Sequence, residues 1–142
     1  KEKYGGFLCD IGSHQIEQFL YYCNVKDAEV KYSEVGNYGH PDYPELEDFG
    51  DAMLGGDNGT TQHFRVDWFT PDGLSTWGDG RTFILGTEGY IELRKYINIG
   101  TGDGTENHVF LVNRDGEQHF EVTGKVGYPY FGQLILDCIN RT

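Results

Sequence analysis

Phe49-Gly50-Asp51-Ala52-Met53-Leu54-Gly55-Gly56-Asp57-Asn58-Gly59-Thr60-Thr61-Gln62-His63-Phe64-Arg65-Val66-Asp67-Trp68-Phe69 is the stretch on which the fold turns. Two runs suited to strands flank a glycine-rich centre, and Asn58-Gly59 supplies the positive φ that a tight hairpin turn needs. In the second run Gln62, Phe64, Val66 and Trp68 alternate with His63, Arg65, Asp67 and Phe69, so one face is mainly apolar and the other mainly charged. His63, Arg65 and Asp67 are expected to meet solvent or another subunit rather than to form a catalytic cluster. Two further hairpins follow. Phe83 to Leu85 and Tyr90 to Tyr96 flank Gly86-Thr87-Glu88-Gly89; His108 to Asn113 and Gln118 to Val122 flank Arg114-Asp115-Gly116, with His108 and His119 expected to pair across the ladder in a structural role. Upstream, Val25 to Val35 alternates, with Ala28, Val30 and Tyr32 on one side and Glu29, Lys31 and Ser33 on the other, which predicts a half-buried strand. With helices near both ends, the expectation is an α+β domain: a mainly antiparallel sheet built from hairpins, helices on one face, the other face available for dimerisation.

Between these elements lie three loops of interest. Gly36 to Asp48 is rich in turn formers and contains two prolines, so it reads as a surface loop carrying Tyr38, His40 and Tyr43. His40 is expected to be solvated there, although aromatic loops of this kind can wall a sugar site. In Leu74 to Arg81, glycine separates Trp77, Asp79 and Arg81, and Gly78 and Gly80 permit close approach of either a sugar or the protein's own sheet. Gly100 to Gly104 lacks the full glycine pattern of a dinucleotide turn and precedes a strand rather than a helix. Beyond it, Pro129 suits the first position of a helix with Phe131, Leu134, Ile135, Cys138 and Ile139 as its apolar stripe.

The chemistry concentrates near the amino terminus. Ile16, Phe19, Leu20 and Cys23 recur at helical spacing and Ser13 is a suitable N-cap, which predicts a helix from about Ser13 to Cys23, stopped at Asn24. Asp10, His14 and Glu17 form a second row, away from the apolar one. A histidine in a first helical turn is kept neutral by the positive end of the backbone dipole, as a general base requires. Asp10, four residues earlier, can fix its tautomer if the helical path extends back through Gly12. The competing possibilities are an Asp and a His that merely cap a helix and meet solvent, or a metal site built from Asp10, His14 and Glu17, for which nothing nearby completes the ligand set.

Gly5-Gly6-x-x-x-Asp10-x-Gly12-x-His14, with a carboxylate three residues after the histidine, resembles the start of the C-terminal domain of the glucose-fructose oxidoreductase, inositol dehydrogenase and MocA (Gfo/Idh/MocA) family. A second block is similar to family members of the sugar-dehydrogenase type. It runs from Asp67-Trp68-Phe69-Thr70-Pro71-Asp72-Gly73-Leu74 through Thr76-Trp77-Gly78-Asp79-Gly80-Arg81 to Ile84-Leu85-Gly86-Thr87-Glu88-Gly89-Tyr90-Ile91-Glu92. The likeness covers most of the chain. It implies His14 as the proton-transferring residue, Asp10 as its partner, and Glu17 as a substrate-binding carboxylate at a position where Asp is more usual. It further implies NAD or NADP in the full-length protein, bound by an N-terminal Rossmann domain that also brings a catalytic lysine and is absent from these 142 residues. The expectation is a single C-terminal substrate and oligomerisation domain over residues 1–142, part of a dehydrogenase that oxidises a sugar or polyol hydroxyl, and inactive alone. The alternative is a non-catalytic carbohydrate-binding or oligomerisation module. A hydrolase using Asp10 and Glu17 as paired carboxylates ranks below both, because the two sit side by side rather than across a substrate.

A chain of 142 residues with 37% hydrophobic content suffices for one folded domain. Its 23 acidic against 11 basic residues give a net charge of −12, which repels phosphate backbones and anionic lipid. Neither nucleic acid nor a membrane is expected as a partner, and a homo-oligomer through the sheet face is. No apolar run is long enough to span a bilayer and no export signal is present; residue 1 reads as mid-protein, so that absence says nothing about the parent protein's location, for which the expectation is the cytoplasm. Cys9, Cys23 and Cys138 are odd in number and widely spaced, which predicts reduced thiols in the core rather than a disulfide framework.

Overall fold

The structure, a computed structural model, describes residues 6–99, 106–122, 124 and 130–140. The chain divides between Phe69 and Thr70 into two compact units. In the first, α1 (Phe7–Asp10) and α2 (Gly12–Tyr22) precede β1 (Ala28–Gly36), β2 (Phe49–Gly56) and β3 (Thr61–Asp67). The three strands form an antiparallel sheet in chain order. The Asn58-Gly59 turn forms as the sequence predicts: Gly59 has φ 85°, and the Gly56 amide donates to the Thr60 carbonyl at 2.8 Å. Pairing of Ala52 with Phe64 and of Leu54 with Gln62 sets Ala52, Leu54, Phe64 and Val66 on one face. There they form the core with Phe7, Phe19 and Val25, each large apolar side chain contributing about 1.5–3 kcal/mol by leaving water. The opposite face carries Tyr32, Glu34, Asp51, Met53, His63 and Arg65.

Asn24 ends α2 as expected, and the mechanism is visible. It takes the left-handed conformation (φ 50°); its amide donates to the Tyr21 carbonyl at 3.4 Å and the Val25 amide to the Leu20 carbonyl at 3.0 Å, the two bonds of a Schellman stop. The β2–β3 turn completes this cap, because Asn58 Nδ2 donates to the Cys23 carbonyl at 2.8 Å.

Strand β1 departs from expectation. Its register shifts between Val30 and Tyr32, and the extra residue reverses the alternation, so Val30 shares the face of Leu54 while Tyr32 shares that of Met53. At the sheet edge it is also more open than half-buried, with Val30 59% and Val35 45% exposed.

The second unit contains β4 (Gly80–Leu85), β5 (Gly89–Lys95), β6 (Asn107–Asn113), β7 (Gly116–Glu121) and α3 (Tyr130–Asn140). Its antiparallel sheet also runs in chain order, with both expected hairpins. Thr82, Ile84, Ile91, Leu93, Val109 and Leu111 fall on one face, and Arg81, Glu92, Arg94, His108, Phe110 and His119 on the other. The fold is α+β and mainly antiparallel, although the described strands make two sheets rather than one. Between β3 and β4 the segment contains Pro71, which has no amide proton to give a ladder, and a turn in which the Leu74 amide donates to the Pro71 carbonyl at 3.0 Å.

In α3, Ile135 and Ile139 of the expected stripe are exposed; Pro129, the side chains of Phe131 and Leu134, and Gly100 to Gly104 lie outside the described residues. The cysteines are free but not all in the core: Cys9 and Cys138 are exposed and Cys23 is partly buried. Apolar neighbours alone did not bury them, because Cys9 falls on the solvent side of α1. Among the described residues no helix is long and apolar enough to cross a membrane.

Candidate active site

Helical backbone reaches further toward the amino terminus than the expected start at Ser13. The amides of Cys9 and Asp10 donate to the Gly6 carbonyl at 2.9 and 3.1 Å, that of Ile11 to Phe7 at 3.0 Å and that of His14 to Ile11 at 3.2 Å. Ile11 itself is right-handed helical (φ −79°, ψ −39°), so α1 runs into α2 and the condition for placing Asp10 one turn before His14 is met. Gly12 makes the junction possible against the sheet, since a Cβ there would lie 3.1 Å from the Phe64 ring. Ser13 is not the N-cap. That position is Ile11, without a side-chain cap, and Ser13 Oγ donates instead to the Asp10 carbonyl at 2.7 Å. One electrostatic consequence follows: the positive end of the backbone dipole lies at Phe7 and Leu8, nearer Asp10 than the expected junction at His14.

Asp10, His14 and Glu17 are all exposed and succeed one another at i, i+4 and i+7, on a path whose other side buries Phe7, Gly12 and Phe19. At that spacing successive Cβ atoms are about 5–6 Å apart, within reach of a rotamer change or a bridging water. Among the described residues no hydrogen bond joins the three side chains, and no three His, Cys, Asp or Glu side chains converge as metal ligands.

A second polar constellation went unread in the sequence. Asp48 is completely buried and accepts from the Tyr38 amide at 2.9 Å, the Gly39 amide at 2.8 Å and His40 Nδ1 at 2.8 Å. Burial by itself pushes this carboxyl up, but the bonds from His40 and the two amides outweigh it and hold the group below the ordinary carboxylate value. His40 is therefore not simply a solvated loop residue. Nothing in a run of Glu45, Glu47 and Asp48 marks one of the acids as buried; the loop's own amides select it.

The remaining histidines behave as structural groups. His63 Nε2 meets Asp51 at 3.0 Å and Arg65 Nε donates to Asp67 at 2.7 Å, both on the charged sheet face. His108 is buried, facing His119 across the ladder at 2.8 Å and Glu106 at 2.9 Å. Asp79 and Arg81 form a two-bond pair at 2.7 Å each, next to Trp77, which is 85% exposed. On the outer face of β1, the Tyr32 hydroxyl donates to Glu34. That bond first, then partial loss of solvent and the charges of Glu34 and Asp51, pushes the Tyr32 pKa up to about 12.

Comparison with known proteins gives this arrangement a setting. Residues 1–92 match the model of the GFO/IDH/MocA C-terminal domain. The chain is similar to the crystal structure of a putative oxidoreductase from Erwinia carotovora atroseptica SCRI1043, with 60% identity and a TM-score of 0.92 over 98% of this chain and 41% of that one. The fold is also that of a putative oxidoreductase from Thermotoga maritima, with 23% identity and a TM-score of 0.75 over 98% of this chain and 38% of that one. No curated protein matches the chain. The chain thus spans about two fifths of the length of the structures it resembles. With the family match extending over most of its length and 60% identity across 98% of it, the chain belongs to the GFO/IDH/MocA C-terminal domain family.

Proposed function

We propose that this chain is the substrate half of an NAD(P)-dependent oxidoreductase that oxidises a hydroxyl of a sugar or polyol. The observation that carries the proposal is the continuous helical path from Phe7 through Ile11 into α2, which lines up Asp10, His14 and Glu17 on an exposed row in a chain of this family. In the proposed reaction His14 accepts the hydroxyl proton. Asp10 orients the imidazole and stabilises its protonated form, and Glu17 accepts a hydrogen bond from a neighbouring hydroxyl.

The described residues do not fit the cofactor. Every strand pairing among them is antiparallel, whereas a dinucleotide's pyrophosphate is cradled where a glycine turn joins a parallel strand to a helix. We therefore assign nicotinamide binding to a separate domain of a longer protein, and expect the isolated chain to be inactive. Two exposed free thiols, Cys9 and Cys138, suit a reducing compartment such as the cytoplasm. The outer face of the β1–β3 sheet, with Tyr32 and Met53 exposed among charged groups, supports self-association of the protein through that face; a strictly monomeric sedimentation profile at high micromolar concentration would speak against it.

The experiment for the function is a substrate panel. The longer protein carrying this chain, supplied with NAD or NADP, should reduce the cofactor in the presence of at least one sugar or polyol. Failure with every member of a broad panel, with cofactor binding intact, would remove the proposal.

A further inference from the structure

The loop between β1 and β2 is built at unusual expense for a surface connection. Two of its side chains make six hydrogen bonds that fix its shape. Asn37 Nδ2 donates to the His40 carbonyl at 2.9 Å and the Tyr43 carbonyl at 2.7 Å, and its Oδ1 accepts from the His40 amide at 3.0 Å. Asp48, wholly removed from solvent, accepts the other three. A carboxylate has no proton to offer, so His40 Nδ1 carries the hydrogen in that pair. In the neutral form of the ring the lone pair lies on Nε2, at the opposite edge, and the side chain is 38% exposed. Among the described residues nothing bonds to Nε2. A buried carboxylate thus fixes an imidazole tautomer and leaves an outward-facing acceptor, the arrangement that proteins use wherever a histidine must meet a ligand in one defined state.

Three further observations narrow the ligand. Tyr38 and Tyr43, which flank His40 in sequence, are both exposed, the Tyr38 ring standing edge-on to Phe49 at 5.3 Å, and exposed aromatic side chains on the same loop as a hydrogen-bond acceptor suit the C–H surfaces and hydroxyls of a polyol. Asp42 and Glu45 are exposed on the same loop, which opposes anionic ligands. The loop also ends against the start of α1. The Glu47 carboxylate occupies the space beside Gly6, where an added Cβ would fall 1.6 Å from Oε2. The Asp48 carbonyl accepts from the Trp68 amide at 3.0 Å, and the Trp68 ring stands edge-on to Phe7 at 5.3 Å. This is the amino-terminal end of the helical path, the end that carries Asp10, with His14 one turn further on.

We propose that His40, held by Asp48, is a specificity-determining residue that accepts a hydrogen bond through Nε2 from a hydroxyl of a neutral polyol or sugar substrate, at a carbon other than the one oxidised. This rests on the reading of the chain as an oxidoreductase subdomain. It adds both a residue and a substrate class, neutral rather than phosphorylated or acidic sugars.

The test separates the Nε2 role from a merely structural one. In the longer protein, His40→Asn keeps a side-chain donor for Asp48 and so keeps the loop clamped, but has no counterpart of Nε2. It should melt within about 1 °C of wild type. Its KM for the best neutral substrate should rise about fivefold to tenfold, the worth of one hydrogen bond, with kcat lowered no more than about threefold. For one monodeoxy analogue, the one lacking the recognised hydroxyl, wild type and variant should share the same KM. His40→Ala, which also empties the Asp48 contact, should both raise KM and lower the melting temperature. A KM for His40→Asn within twofold of wild type on every substrate, or preferred turnover of a sugar phosphate or uronate, would overturn the assignment while leaving the oxidoreductase reading intact. Wild type that oxidises no polyol at all would instead remove that reading, and this site with it.

Discussion

Replacing Asn58 by Asp should loosen α2 at the end opposite His14. The Asn58 amide nitrogen is the donor to the Cys23 carbonyl at 2.8 Å, while its oxygen accepts from the Thr60 amide at 3.1 Å and hydroxyl at 2.7 Å. Asn58→Asp keeps both acceptor bonds and loses only the donor, at about 0.5–1.5 kcal/mol. It also sets a negative charge against the carbonyl end of the helix, which costs about 0.3–1 kcal/mol more. The sum, about 1–2.5 kcal/mol, corresponds to a fall in melting temperature of roughly 3–8 °C for a chain of this size. Thermal unfolding followed by circular dichroism at pH 7 measures it directly. The difference from wild type should shrink as pH falls through the carboxyl range, because a protonated side chain regains a donor. Melting within 1 °C of wild type at pH 7 would mean that the turn does not anchor the helix.

Asp48 makes the fold sensitive to acid. Its carboxyl lies below the ordinary value in the folded chain, so its contribution is complete above an unfolded pKa of about 3.9. That contribution is lost as pH falls from there through the lowered native value. Urea midpoints of wild type and Asp48→Asn should differ most near neutrality and draw together as pH falls below the ordinary carboxylate range; parallel curves would contradict this. Tyr32 works in the other direction. With its hydroxyl raised from 10.0 to about 12, its contribution is complete below pH 10 and disappears as pH rises through 12, and in Glu34→Gln ultraviolet titration should return the hydroxyl toward 10, a result an unchanged titration would refute. Calorimetric titration of the isolated chain with NAD and NADP should give no saturable heat up to millimolar ligand, given the antiparallel ladders and a net charge of −12; a micromolar Kd would place the cofactor site inside this chain.

Hairpin chemistry was the most legible feature of the sequence, because Asn58-Gly59 and Arg114-Asp115-Gly116 specify turns locally and alternation then assigns the faces. The apolar row of α2 and the Asn24 stop were equally readable. Three features were hidden for physical reasons. The helix was expected to start only at Ser13 because glycine is a poor helix former, yet Gly12 lets the helix approach Phe64, and α1 lies before it. The bulge in β1 reverses an alternation that looked unbroken, since one inserted residue leaves no mark in composition. Asp48 was invisible because its burial is decided by the amides of Tyr38 and Gly39 and by His40, eight to ten residues away. For the Asp10, His14 and Glu17 row, spacing gave the geometry and only the family likeness gave the roles.

Turnover of His14→Ala in the longer protein is the most direct measurement of the central claim. Under conditions where chemistry limits the rate, with a neutral polyol and saturating cofactor, removal of a positioned general base should lower kcat by roughly 10²- to 10⁴-fold, with cofactor affinity within twofold of wild type. Turnover equal to wild type under those conditions would show that His14 does not take the substrate proton.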